Sequence, residues 1–382
     1  MTGTRLFTAD IESVLQLFQQ AGHEAAVPPM LQPANVFLDL VGEDIRRRLF
    51  LTSGADGTDL CLRPDFTIPV CRLHLEHGDA NRQAAYCYHG PVFRQRSEGI
   101  GEIPQIGAES IGRSDIASAD ADMLALSVQA LTTFGVKDLD IRIGDETLFV
   151  AVLGGLDLPV VWQRRLRGLF GETDKLSSAI NRMAGSDTAN DDSRDVRLGF
   201  LSALEGADPK AAHAVVEDLL SIAGISAVGG RTPSEIADRF LEQAALASGS
   251  GADPKAAGIL KQYLAIEGSA DQVVEELKRF AADTGIDLTE PIASFEARLR
   301  ALSAKGIDAS RLTFSADFGR RLDYYSGFVF EVHEVGSTSG EQLVGGGRYD
   351  KLVRLLGAKS EVPAIGFSLW LDRIAKTSGA SA

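Results

Sequence analysis

The sequence predicts a mixed α/β (α+β) protein in which one α/β domain is interrupted by a helical insertion. Two changes of texture carry this prediction. Short β-prone runs crowd residues 48–112 and return at 311–335, whereas residues 156–308 are rich in Ala, Leu, Glu and Lys at helical spacing. Residues 1–155 and 309–382 are therefore read as the α/β domain and 156–308 as the insertion. At 382 residues the chain has room for both, and its 45% hydrophobic and 24% charged content suits a globular protein.

The elements follow in order. Ile11, Val14, Leu15 and Phe18 recur at helical spacing over 8–21, and Gly22 closes that run. Four strand-like stretches follow: "RRLFLTS", "DLCLRPDF", "AAYCYHGPVFRQR" and "PQIGAESIG". Residues 119–134 read as a helix and "LDIRIGD" as a strand. The insertion is broken by polar linkers, "GSDTANDDSRD" and "ASGSGADPK". Near the end, Val362–Phe367 form a strand leading into a helix that carries Arg373, with Trp370 one turn before it. Just upstream, "VGGGRYDKL" places a glycine run beside an arginine, a pattern that lets a phosphate-bearing ligand approach backbone.

Composition narrows the function. No stretch approaches the roughly 18–20 apolar residues of a membrane span, and the N-terminus has no secretory pattern, so a cytoplasmic protein is expected. Cys61, Cys71 and Cys87 lack CxxC spacing and are read as buried reduced thiols, and no His/Cys cluster marks a metal. No cofactor is expected. The net charge of −15 argues against a large nucleic-acid footprint.

Polar residues stand where strand patterning calls for core. Asp65 and Thr67 would point the same way on a strand. Arg94 would share its face with Val92 and Arg96. Gln105 and Glu109 flank Gly107 on one face, which leaves a gap for a small ligand. Arg320, Asp323, Tyr324 and Tyr325 precede a β-prone run. Each has a plainer reading. Asp65 suits a turn or cap, Gln105 and Glu109 a solvent-facing strand, the tyrosines and Trp370 a core, and Arg94 a structural ion pair. As a set they describe a pocket for an amino acid with an ionisable side chain.

These stretches resemble the class II aminoacyl-tRNA synthetases, histidyl-tRNA synthetase above all. "HEAAVPPMLQPANVF" is similar to that family's first motif, "LRPDFT" to LRPEGT, "GPVFRQR" to the start of the second motif and "RRLDYYSG" to RGLDYYTG. "GGGRYDKL" and "PAIGFSLWLDR" resemble the glycine-rich stretch and the third motif, PAVGFAIGLER. The likeness covers roughly 1–150 and 311–378. It implies a six- to seven-stranded antiparallel sheet flanked by helices, and a dimer. It also implies that Asp65, Thr67 and Gln105 hold a histidine ammonium, Glu109 and Tyr325 its imidazole, and Arg94 and Arg320 its carboxylate, with Tyr324 beside them.

The departures gather on the nucleotide side. Arg96 replaces a glutamate of the second motif, and Glu102 stands in a loop that should carry an arginine. Trp370 and Asp372 replace the glycine and glutamate of GLER, Arg321 the glycine of RGLDYY, and Asp65 and Phe66 the Glu-Gly of LRPEGT. An indole at 370 would fill the adenine slot and stack on Arg373. The family's anticodon-binding domain follows its third motif, and here the chain ends at Ala382, so none is expected. The pattern resembles the synthetase paralogues that serve as regulatory subunits of ATP phosphoribosyltransferase. That family implies a short-form catalytic partner, a homodimer within a hetero-octamer, and feedback by L-histidine, with no nucleic acid and no membrane. A truncated synthetase-like enzyme and another histidine-binding paralogue are the alternatives.

Overall fold

The computed structural model describes residues 2–40, 43–96, 99–184, 253–320, 324–336 and 340–377, with Ala214 and Asp218. The linker "GSDTANDDSRD", most of "ASGSGADPK", Arg321 and Asp323 lie outside the described residues. The chain forms two units, Met1–Ala151 with Leu264–Ala382, and Val152–Tyr263.

The first unit is built on strands β1 (Glu24–Ala25), β2 (Leu31–Pro33), β3 (Leu51–Ser53), β4 (Asp59–Leu62), β5 (Ala84–Phe93), β6 (Glu102–Ile111), β7 (Leu139–Asp145), β8 (Glu267–Ser269), β9 (Leu312–Ser315), β10 (Phe328–Glu334), β11 (Val344–Arg348) and β12 (Ala364–Trp370). Nine of them make one sheet in the order β1-β5-β6-β12-β11-β10-β7-β9-β8, and β2-β4-β3 make a small second sheet. From β5 to β7 every neighbouring pair is antiparallel. The flanks depart from the expected pattern, because β1 joins β5 and β9 joins β7 in parallel. A parallel neighbour needs a long crossover, and the chain between Asp145 and Leu312 supplies one.

One face of the sheet is apolar. Ile106, Ala108, Phe367, Leu369, Phe330 and Val332 are buried on it, beneath the helix Ile116–Thr133. That helix is buried on nearly all sides and also packs on helix Thr289–Ala304. Between them lies a buried ionic network. Arg298 donates to Asp120 at 2.7 Å and to Asp145 at 2.8 Å, and Arg348 Nε donates to Asp120 at 3.0 Å. Residues 264–308, which the sequence reading gives to the insertion, thus pack with the sheet, and β8 pairs with β9 inside it. Helical texture alone does not distinguish a helix that covers a sheet from one outside it.

In the second unit, helices Val160–Arg167 and Thr173–Met183 are amphipathic and bury Trp162, Leu166, Leu176, Ile180 and Met183. Cys61, Cys71 and Cys87 are buried, free thiols. No helix among the described residues is long and apolar enough to cross a membrane.

Candidate functional site

The opposite face of the sheet is polar and nearly bare at its centre. Residues opposed across antiparallel strands share a face. Register places Tyr88 on β5 across from Gly107, and Gly107 across from Ser368. Glu109 meets Gly366, Gly366 meets Gly347, and Gly345 meets Glu331. Gln105 lies between Gly90 and Trp370. Four glycines thus pave the middle of this face. A Cβ at Gly366 would stand 1.5 Å from Glu109 Oε2, one at Gly347 2.8 Å from Tyr325 Cε1, and one at Gly345 2.0 Å from Arg320 Nη1. The room beside the glycine run is therefore taken by the chain's own side chains, not kept for a phosphate.

Glu109 is the hub. It is fully buried, and it accepts from Thr67 Oγ1 at 2.8 Å and Tyr88 OH at 3.3 Å, while Tyr349 OH bonds its other oxygen. Burial pushes its carboxyl up to about 8, against the pull of the three hydroxyls. Tyr88 also reaches the Phe367 carbonyl and Ser368 Oγ. Its hydroxyl would lie 2.5 Å from a Cβ at Gly107, so the gap expected there is filled by a phenol. Gln105 and Glu109 are 1% and 0% exposed, which excludes a solvent-facing strand.

Asp65 and Thr67 are not on a strand. Thr67 opens the helix Thr67–Glu76, and Pro69 sits in its first turn, where a missing N–H costs nothing. Phe66 is the N-cap position, and Asp65, one residue before it, accepts from Ile68 N through Oδ1 at 3.2 Å and so satisfies a first-turn amide. Its Oδ2 is buried with no hydrogen-bond partner among the described residues. Burial pushes this carboxyl up to about 6, opposed by the nearby Arg94 guanidinium. Arg94 falls just past the end of β5 and donates through Nε to the Pro64 carbonyl at 2.8 Å. Phe66 fills the space of the family's glycine. Its ring stacks 4.2 Å from Tyr88 and lies 4.0 Å under the Arg63 guanidinium.

Tyr324 is buried in the core cluster, its ring 5.1 Å from Tyr325 and 6.1 Å from Tyr349. Burial, with Asp65 and Tyr325 close by, pushes its phenol well above the ordinary value. Arg320 lies 5.8 Å from the Tyr325 ring and 5.9 Å from the Trp370 ring. Direct bonds or electrostatic contact thus join Asp65, Thr67, Arg94, Glu109, Arg320, Tyr324 and Tyr325, and Gln105 shares their sheet face. Sequence reading missed Tyr88, Tyr349, Ser368 and Glu331. Tyr88 could have been found, because Tyr86 and Tyr88 alternate with small residues along a strand.

Trp370 is the last residue of β12, and the helix begins at Leu371. Pairing with Gln105 extends the strand past the expected end at Phe367. The indole is 5% exposed, and the Arg373 guanidinium sits 4.9 Å from its ring centre. Arg96 lies 3.5 Å from Asp372, so the reversed charge in the second motif meets an acid of the third.

This sheet and its polar face are those of a histidyl-tRNA synthetase-like protein. The family model for histidyl-tRNA synthetase matches residues 8–374. A solved ATP phosphoribosyltransferase regulatory subunit/histidyl-tRNA synthetase from Bacillus halodurans shares the fold at TM-score 0.65 and 20% identity, over 98% of this chain and 79% of that one. Histidyl-tRNA synthetase from Nostoc does so at 0.64 and 17%, over 99% and 73%. Full-length similarity is narrower. The ATP phosphoribosyltransferase regulatory subunits of Brucella ovis and Brucella abortus are each 40% identical to it over 381 residues, 99% of both chains. The chain belongs to the ATP phosphoribosyltransferase regulatory subunit family.

Proposed function

We propose that this chain works without chemistry of its own, activating a short-form ATP phosphoribosyltransferase catalytic subunit and relaying feedback inhibition by L-histidine. In this reading it is a cytoplasmic homodimer within a hetero-octamer. One observation carries the ligand half. Two buried carboxyl groups, Asp65 and Glu109, lie with buried Tyr324, half-buried Tyr325 and Arg320, which suits an ammonium, a polar ring and a carboxylate together. The same face places Trp370 against Arg373, where a nucleotide would have to lie. A sensor without chemistry acts by binding two assembly states unequally. Typical coupling of about 1–3 kcal/mol corresponds to roughly 5- to 150-fold between sites.

The test mixes the purified chain with a separately expressed short catalytic subunit and assays turnover with and without histidine. The expected result is a rise in turnover and a stronger histidine response than the catalytic subunit shows alone. Changing Tyr325 should shift that response to higher histidine while the complex still assembles. A chain that neither binds nor activates the enzyme ends this reading.

A further inference from the structure

Arg320 is held by Glu331 and Tyr325, yet one of its N–H groups is left over. Its side chain is 8% exposed, its Nη1 donates to Glu331 Oε1 at 2.8 Å, and its Nε is buried with no hydrogen-bond partner among the described residues. A buried guanidinium N–H without an acceptor is costly, so its presence points to an anionic group that completes it. The seat beneath it comes from two strands. Glu331 on β10 stands directly opposite Gly345 on β11, and a Cβ at Gly345 would lie 2.0 Å from Nη1. Glu331 is itself restrained. His333 Nε2 approaches its second oxygen at 3.4 Å.

We propose that Glu331 and Gly345 are positioning residues that seat Arg320 so that its free Nε–H meets the carboxylate of an amino-acid ligand. This rests on the pocket reading above. Glu331 acts as a fixed acceptor and Gly345 as the space the Arg320 guanidinium occupies. The carboxylate is recognised by a donor whose direction is set before binding, which reduces the ordering cost of the complex.

The experiment measures affinity for histidine and for histidinol, which has an alcohol in place of the carboxylate, by calorimetry on the full chain. Wild type should prefer histidine. Glu331→Ala and Gly345→Ala should each reduce that preference by about tenfold or more, as expected for a lost hydrogen bond to a charged group, with histidinol affinity little changed. Glu331→Gln keeps an acceptor oxygen and should hold the preference within about threefold of wild type. Gly345→Ala carries the test if Glu331→Ala does not fold. Equal losses for both ligands, or a Gln variant that behaves like Ala, would overturn the seat alone. A wild-type chain that binds neither ligand overturns the pocket reading and the seat with it.

Discussion

Trp370 lies against Arg373, its ring centre 4.9 Å from the guanidinium carbon. That guanidinium also donates to the Gln342 carbonyl at 2.7 Å, so both its face and its edge are engaged within the chain. Adenylate formation needs preorganised positive charge at the reacting phosphates. The chain should therefore show no histidine-dependent ATP–pyrophosphate exchange. Turnover on the order of 1 s⁻¹ or above, ordinary for an enzyme, would contradict this.

Glu109→Ala should weaken histidine binding by about 5- to 150-fold, because it leaves the imidazole N–H unpaired in a buried site, a loss of about 1–3 kcal/mol. Isosteres lacking the imidazole N–H should lose less. Calorimetry on variants with an unchanged circular dichroism spectrum decides this. Unchanged histidine affinity would place the ligand elsewhere.

The same residue makes stability depend on pH. Burial raises the Glu109 carboxyl from 4.5 to about 8, so between those values the folded chain holds a proton that the unfolded chain has released. Stability from this group is full below about pH 4.5, declines as pH rises and levels off above about 8. Urea melts from pH 5 to 8 should show this decline, on the order of a few kcal/mol. Glu109→Gln should flatten it between about pH 6 and 8, above the range where the Asp65 carboxyl, raised to about 6, adds its own decline. An identical slope in the variant would assign the dependence to other groups.

Arg298→Leu should destabilise the fold by about 3–5 kcal/mol, because it leaves Asp145 as a buried carboxylate without its cation. The loss should appear as a lower denaturation midpoint. A cost under about 1 kcal/mol would mean that water reaches Asp145 in the variant.

Much of the first unit was legible because strand alternation and helical spacing are local signals. The helix at 8–21, the strands around Gln105 and Glu109, and the helix carrying Arg373 follow from them. Less legible were features decided by distant partners. Asp65 and Thr67 have strand-like spacing, yet Asp65 sits at a helix start, because its carboxylate finds the Ile68 amide three residues on, a local bond that alternation cannot express. Tyr349 is far from Glu109 in sequence and bonds it only once β11 and β6 are brought together by β12. Residues 264–308 carry the same helical texture as the insertion, and only tertiary contacts, β8 pairing with β9 and Arg298 reaching Asp120, assign them to the sheet domain. The meaning of "GGG" was misread for a related reason: a glycine records missing volume without naming what fills it.

The glycine-paved face has a mechanical consequence. Cross-strand side-chain pairs stiffen a sheet, and Gly347 opposite Gly366 supplies none. At that register the seam between β11 and β12 has no side-chain pair of its own, and Glu109 and Tyr325 cover it from above. A small molecule seated among those side chains would add to that cover.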